Sequence, residues 1–256
     1  MNSRLILALL FIFFLTGCSL FSDRDNTIKV VAGGFSPKEL YEKAEDKVDS
    51  GLIEDAINQY KIILASYPNS KYAIQARLDI AYNLFKQKKY NRSIIELNQF
   101  IEKYPDIAAT PYAYYLRALV AENKSTSILD DLITDNAQRD VESVKEAYKY
   151  YISLIYTFPN SKYTKDAKNK LSNLRNTLAR HEFYVAIYYS RIGAYIASIN
   201  RSKYIIENYQ NSEVISDALH LMAYNYDIIS ADQLAIDARK VLASNYPSYS
   251  PNYSIK

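Results

Sequence analysis

Apolar residues recur along most of the chain at three- and four-residue intervals, the period of a helix with one buried face. Ile53, Ala56, Ile57, Tyr60, Ile63, Leu64 and Tyr67 form one such stripe, and Leu171, Leu174, Leu178, Val185 and Tyr189 another. No comparable pattern supports strands. Leu40 to Val48 reads as a shorter helix, set off from Ile53 by Asp49-Ser50-Gly51, so the local unit is helix-turn-helix.

That unit repeats. An aromatic residue followed by Pro stands at Tyr67-Pro68, Tyr104-Pro105, Phe158-Pro159 and Tyr246-Pro247, with Tyr209-Gln210 as a variant. Twelve residues before each second position lies a small residue: Ala56, Ser93, Ala147, Ser198 and Ala235. Small side chains at a fixed register let two helix backbones approach closely, and the proline marks the end of the second helix of a pair. The segments Pro68-Asn69-Ser70-Lys71-Tyr72, Pro159-Asn160-Ser161-Lys162-Tyr163 and Gln210-Asn211-Ser212 also repeat, and their Asn-Ser turn is expected to N-cap the next helix. The first unit runs about 34 residues, the tetratricopeptide period.

The landmarks are 37, 54, 51 and 37 residues apart, so the middle units carry extra material. The polar, acidic stretch from Glu122 to Asp140 reads as a loop or extended turn, whereas Lys165 to Tyr189 keeps helical spacing without Gly or Pro and prolongs a helix. The expected fold is all-α: a right-handed superhelical solenoid of about five tetratricopeptide-like helix pairs, continuous over residues 36–246, with a tail at 247–256.

The chain start has a different pattern. Arg4 precedes an unbroken apolar run from Leu5 to Leu15, too short for the roughly 20 residues of a bilayer-spanning helix and laid out as a signal peptide, residues 1–17. The run ends in Leu15-Thr16-Gly17-Cys18, which resembles the lipobox of bacterial lipoproteins, where cleavage leaves the cysteine acylated by chains such as palmitate. Cys18 is the only cysteine in 256 residues, and residues 18–35 read as a polar tether. Ser19 rather than Asp follows it, which in that family implies the outer membrane, with the body of the chain facing the periplasm.

Composition narrows the chemistry. Thirty-one Lys and Arg against 28 Asp and Glu leave a formal charge of +3 with the signs interspersed, which gives no basic footprint for nucleic acid. Five glycines supply no phosphate loop, and one cysteine with two histidines supplies neither a disulfide framework nor a Cys/His zinc site, so no cofactor is expected beyond the lipid on Cys18. Glu42, Glu45, Asp46 and Asp49 read as a solvated helix face, and His181 and His220 as structural histidines; no enzymatic activity is expected.

Taken in order, the lipobox, Ser36-Pro37-Lys38-Glu39-Leu40-Tyr41, Leu78-Asp79-Ile80-Ala81-Tyr82, Tyr112-Ala113-Tyr114-Tyr115-Leu116-Arg117 and Gly193 to Arg201 resemble the BamD family, tetratricopeptide-repeat lipoproteins of the outer-membrane protein assembly (BAM) complex. The resemblance spans nearly the whole chain. It implies a scaffold that docks on the barrel-inserting subunit through that subunit's periplasmic domains, holds smaller assembly lipoproteins and meets unfolded outer-membrane substrates. A general periplasmic repeat lipoprotein coordinating cell-wall synthesis or division would share the lipobox and repeats but not the third- and fourth-repeat segments.

Two sets of residues are candidates for these contacts. Leu78, Tyr82 and Phe85 widen the apolar arc of the helix beyond Ile74 past the usual ~100°, and with Tyr41, Tyr112 and Tyr115 they form either an aromatic groove for an extended peptide with an aromatic end or simple packing between repeats. Arg201, at the edge of the face marked by Ser198, is either the docking contact for the barrel-inserting subunit or a side chain lying along its own solenoid.

Overall fold

The computed structural model of the chain describes residues 34–124 and 141–255. The signal peptide, Cys18 and nearly all of the tether lie outside the described residues, as does most of the acidic insertion. Among the described residues the regular structure is ten helices: α1 (Pro37–Asp49), α2 (Ile53–Ser66), α3 (Lys71–Lys86), α4 (Tyr90–Lys103), α5 (Thr110–Lys124), α6 (Glu142–Thr157), α7 (Thr164–Arg191), α8 (Tyr195–Asn208), α9 (Ile215–Ile228) and α10 (Asp232–Asn245). They form five consecutive pairs, as the repeat predicts. The chain divides into two compact units, residues 1–73 and 74–256, with the boundary inside α3.

In the first unit α1 opens on a capping box. Ser36 Oγ accepts from the Glu39 N–H at 3.3 Å while a Glu39 carboxylate oxygen accepts from the Ser36 N–H at 2.7 Å, and Pro37 occupies a position whose missing N–H has no helical partner to lose. The side-chain and backbone hydrogen bonds from Ser36 hold the Glu39 carboxyl below its ordinary pKa. Leu40 and Ala44 are buried opposite Ala56, Ile57, Tyr60 and Ile63 of α2, the stripe read from the sequence.

Pairs are joined by one recurring turn. Gly51, Lys88, Gly193 and Ser230 adopt φ of 77°, 58°, 81° and 57°, each five residues before the small position of its repeat. The next N–H reaches back five residues, Leu52 to Lys47 at 2.8 Å and Lys89, Ala194 and Ala231 to Leu84, Tyr189 and Tyr226 at 2.9 Å, the Schellman pattern that satisfies carbonyls at a helix end. In the third pair that position is Glu142, the first residue of α6. Its N-cap is Val141, and α5 runs through Lys124, so the first residues of the expected loop, Glu122 to Lys124, are helix.

The second helix of every pair ends alike. Tyr67, Tyr104, Phe158, Tyr209 and Tyr246 adopt φ between −135° and −122° and ψ between 47° and 67°. Tyr209 does so without a following proline, so the aromatic cap sets this geometry and the proline only bars the next turn of helix. Where Gln210 replaces Pro, Asn211 moves to φ 63°, which is the local change in the turn. The Asn-Ser turn caps α3, where Ser70 Oγ accepts from the Ala73 N–H at 3.1 Å. It does not cap α7 or α9, because an extra turn after Ser161 and Ser212 delays those helices to Thr164 and Ile215.

All five small positions are 0% exposed. The two serines use their hydroxyls: Ser93 Oγ donates to the Ala81 carbonyl and Ser198 Oγ to the Ala186 carbonyl, both at 2.7 Å, so each hydroxyl is satisfied by the neighbouring helix backbone it abuts. In the second unit α4 to α10 pack in sequence around Leu97, Phe100, Leu116, Tyr151, Leu154 and Leu178. The excess length at Lys165 to Tyr189 is the body of α7, 28 residues without interruption. Tyr249, Tyr253 and Ile255 of the tail pack back onto this core. No helix among the described residues is long and apolar enough to cross a membrane.

Candidate peptide-binding cleft and partner-facing arginine

Within the second unit, α3, the α4–α5 connection with the start of α5, and the α6–α7 connection wall an open cleft of about 440 Å³, lined among others by Gln75, Leu78, Ala109, Tyr112, Lys162 and Tyr163. Tyr112 meets Tyr163 at 5.7 Å between ring centroids, and Tyr115 stacks on Tyr163 at 5.1 Å with 19° between planes. The Tyr115 hydroxyl donates to Asp166 at 2.7 Å. Burial first, then the Asp166 carboxylate, pushes the Tyr115 hydroxyl well above its ordinary pKa. Tyr112 is raised by burial and then by Tyr82, Tyr163 and Asp79, so the Tyr82 hydroxyl lies near Tyr112 at the border of the cleft rather than in its lining.

The six proposed groove residues are therefore not equivalent. Tyr82, 42% exposed, tilts against Phe85 at 6.4 Å between ring centroids. Leu78 is 3% exposed and belongs to the core of the second unit, although it reaches the cleft wall. Phe85 turns to Tyr90 of its own pair, 6.2 Å away, and is half-buried. Tyr41 lies in the first unit between Tyr60 at 5.5 Å and Tyr72 at 5.6 Å.

Tyr72 and Tyr163 are the residues the sequence reading left out. Both end a Pro-Asn-Ser-Lys-Tyr segment, and each ring packs on the first helix of the preceding pair, Tyr72 on Tyr41 and Tyr163 on Tyr112 and Tyr115. The repetition of that tyrosine was the available signal.

Arg201 stands at the edge of α8 as its register predicts, with its side chain 44% exposed. Its Nη1 donates to Glu182 Oε2 of α7 at 2.7 Å, and Glu182 is the buried member with 8% of its side chain exposed. Part of the guanidinium fork thus remains open to a second carboxylate. His181 borders a separate cleft with Tyr184 and Tyr188, and His220 contacts the tail, so neither histidine forms part of this constellation.

Helix pairs joined through buried small residues, with an aromatic cleft and an arginine at the edge of one helix, define a helical-repeat scaffold. The sequence model of the YfiO family, described as "Outer membrane lipoprotein", matches residues 35–242. The outer membrane protein assembly factor BamD of Neisseria gonorrhoeae is 34% identical over 91% of this chain and 87% of that one, and that of Xylella fastidiosa strain Temecula1 is 32% identical over 96% and 83%. BamD of Vibrio cholerae is 27% identical over 96% of this chain and all of the other. The chain belongs to the BamD family of outer membrane protein assembly factors. Among solved structures, the crystal structure of MamA matches at 15% identity over 80% of this chain with a TM-score of 0.38; the fold assignment rests on the helices themselves.

Proposed function

We propose that this chain is a non-enzymatic scaffold of outer-membrane protein assembly that receives an extended, aromatic segment of an unfolded barrel protein in the Tyr82–Tyr112–Tyr163 cleft. The observation that carries this reading is an exposed tyrosine beside half-buried rings on a rigid helical wall, a surface that offers stacking area at low entropic cost. Arg201 docks the scaffold on the periplasmic domains of the barrel-inserting subunit, where the unused part of its fork pairs with a carboxylate. Smaller assembly lipoproteins complete the assembly, and acylation of Cys18 holds the protein at the periplasmic face of the outer membrane, two or more chains being needed for firm attachment.

Photo-crosslinking from the cleft tests the substrate contact. Tyr82→Ser is the clean probe, because its ring is exposed while Phe85 and Leu78 also serve the core. Reduced crosslinking to a peptide with an aromatic end, at unchanged helicity, is expected; unchanged crosslinking removes the cleft from the contact.

A further inference from the structure

The last described residues lie as a strap along α7 and α9, with a turn at Pro247 and Ser248 and a bend at Tyr253. Tyr249 donates from its hydroxyl to Asp217 Oδ1 at 2.7 Å and sets its ring 5.7 Å from the His220 imidazole. Four residues on, the Tyr253 ring stands edge-on to Phe183 of α7 at 5.0 Å and to His220 at 5.9 Å. Its hydroxyl lies 2.8 Å from His220 Nδ1 and 3.3 Å from the Asp217 carbonyl. Arg191, closing α7, donates from Nη2 to the Ser254 carbonyl at 2.7 Å. Tyr249, Tyr253 and Ile255 are turned inward, while Ser250, Pro251, Asn252 and Ser254 are exposed. Pro251, midway between the two tyrosines, is exposed, so the two rings four residues apart are the inward anchors ahead of Ile255.

Two features set this apart from an ordinary chain end. The strap is held by rings in a pocket, tyrosine hydroxyls on side-chain and backbone acceptors, and one backbone carbonyl on a guanidinium, the contacts by which a groove holds a separate peptide. The groove is also wider than its occupant. An open cleft of about 650 Å³ continues along α7 beside the strap, walled by His181, Tyr184, Ile187 and Tyr188, with Tyr253 on its other side.

We propose that α7 and α9 form a second peptide-binding groove, which the strap fills in cis and from which a segment with two aromatic residues four positions apart displaces it. The strap specifies that ligand: a tyrosine reaching Asp217, a second aromatic four residues on for the Phe183–His220 pocket, and the next residue's carbonyl for Arg191. Membrane strands of unfolded barrel proteins, which carry girdles of aromatic residues, supply such a pair. That choice of partner rests on the proposed assembly role, whereas the groove and its strap do not. Because the strap is tethered, it competes at high effective concentration, and a ligand in trans is weakened by the fraction of time the groove is filled.

A fluorescein-labelled peptide copying residues 247–255, titrated into the full chain and into a chain ending at Tyr246, tests the groove. Saturable binding to the shortened chain, roughly tenfold or more tighter than to the full chain, is expected. Equal binding, or none by a shortened chain that keeps its helical circular dichroism, overturns the proposal. The full chain carrying Tyr253→Ala opens the strap without removing Asp217, His220 or Phe183, so it must show the same gain even if the shortened chain fails to fold; no gain overturns the proposal. A synthetic strand with apolar residues at alternate positions and two tyrosines four apart should displace the labelled peptide, and a scrambled version should not. Failure of both to displace it means the groove serves the strap alone and the proposal fails. Repeating the displacement with Tyr82→Ser separates the two sites, since that change touches only the cleft at Tyr112 and must leave displacement from this groove intact.

Discussion

Glu182 and Arg201 form an ion pair in which the acid is buried and the base is half in water, at 2.7 Å across the α7–α8 contact. Removing the base strands a buried carboxylate. Arg201→Ala is expected to lower unfolding free energy by about 1 to 3 kcal/mol, less than for a wholly buried pair because water screens the guanidinium. Glu182→Gln in the same chain should recover most of the loss, measured by urea denaturation of the single and double variants. Charge reversal at Arg201 places two carboxylates together, so a docking assay on Arg201→Glu measures folding as well as binding. The Arg201→Ala, Glu182→Gln chain is the fair test of docking, and its full binding to the barrel-inserting subunit would exclude Arg201 from that interface.

Lys88 and Ser230 occupy the left-handed turn that Gly51 and Gly193 fill elsewhere. Replacing either with Gly should raise stability by about 0.5 to 1 kcal/mol, since a side chain at this φ carries strain that glycine lacks. Gly51→Ala and Gly193→Ala should each lower it by about 1 kcal/mol, through backbone conformation alone, because a Cβ at either position meets nothing within 4 Å. Thermal unfolding of the four variants checks the signs.

Three of the five repeats carry alanine where Ser93 and Ser198 stand, which makes serine to alanine sterically harmless at that register. The two serines differ in what else they hold. Ser198 Oγ also accepts from the Asn225 amide at 2.9 Å, and Asn225, 0% exposed, accepts from Ser190 at 2.7 Å. Ser198→Ala leaves that buried amide without its acceptor and should cost about 1 to 3 kcal/mol, whereas Ser93→Ala should cost about 1 kcal/mol or less. Equal losses in denaturant titration would contradict this account of Asn225.

The helix pairs were legible because Ala56, Ser93, Ala147, Ser198 and Ala235 repeat at one register, and one helix periodicity explains them all. The cleft was only partly legible. Leu78 and Tyr82 lie on adjacent parts of one apolar arc, and which of them is core depends on the helix that packs beside α3, a long-range fact the local period does not contain. Tyr249 and Tyr253 have no helical period, so they read as a tail; their docking depends on Asp217, His220 and Phe183, far away in sequence. Glu182 was hidden for the same reason, since its partner Arg201 lies on the next helix.

Burial holds the His220 imidazole below its ordinary pKa, against the pull of Asp217 and helped by Arg239. The unfolded chain therefore takes up this proton more readily, and stability must fall as pH drops through 6.5 toward the folded value. Asp217, raised by burial against the hydrogen bond from Tyr249, acts in the opposite sense: its folded carboxyl binds a proton more tightly, so its contribution is lost as pH rises from 3.8. As the pH falls below 6.5 the histidine lowers stability, and the melting temperature should decline on acidification by more in the native chain than in His220→Gln.

The unbroken length of α7 makes it a shaft, roughly 42 Å from end to end at the usual helical rise. Asp166 near one end is gripped by Tyr115, and Glu182 and Ala186 toward the other are gripped by Arg201 and Ser198. No break in the helix lies between those grips. A partner that levers α8 must therefore move the floor under Tyr163 as well, and spin labels on α5 and α8 should report correlated displacement that a Gly-Pro break placed at Asn176 abolishes.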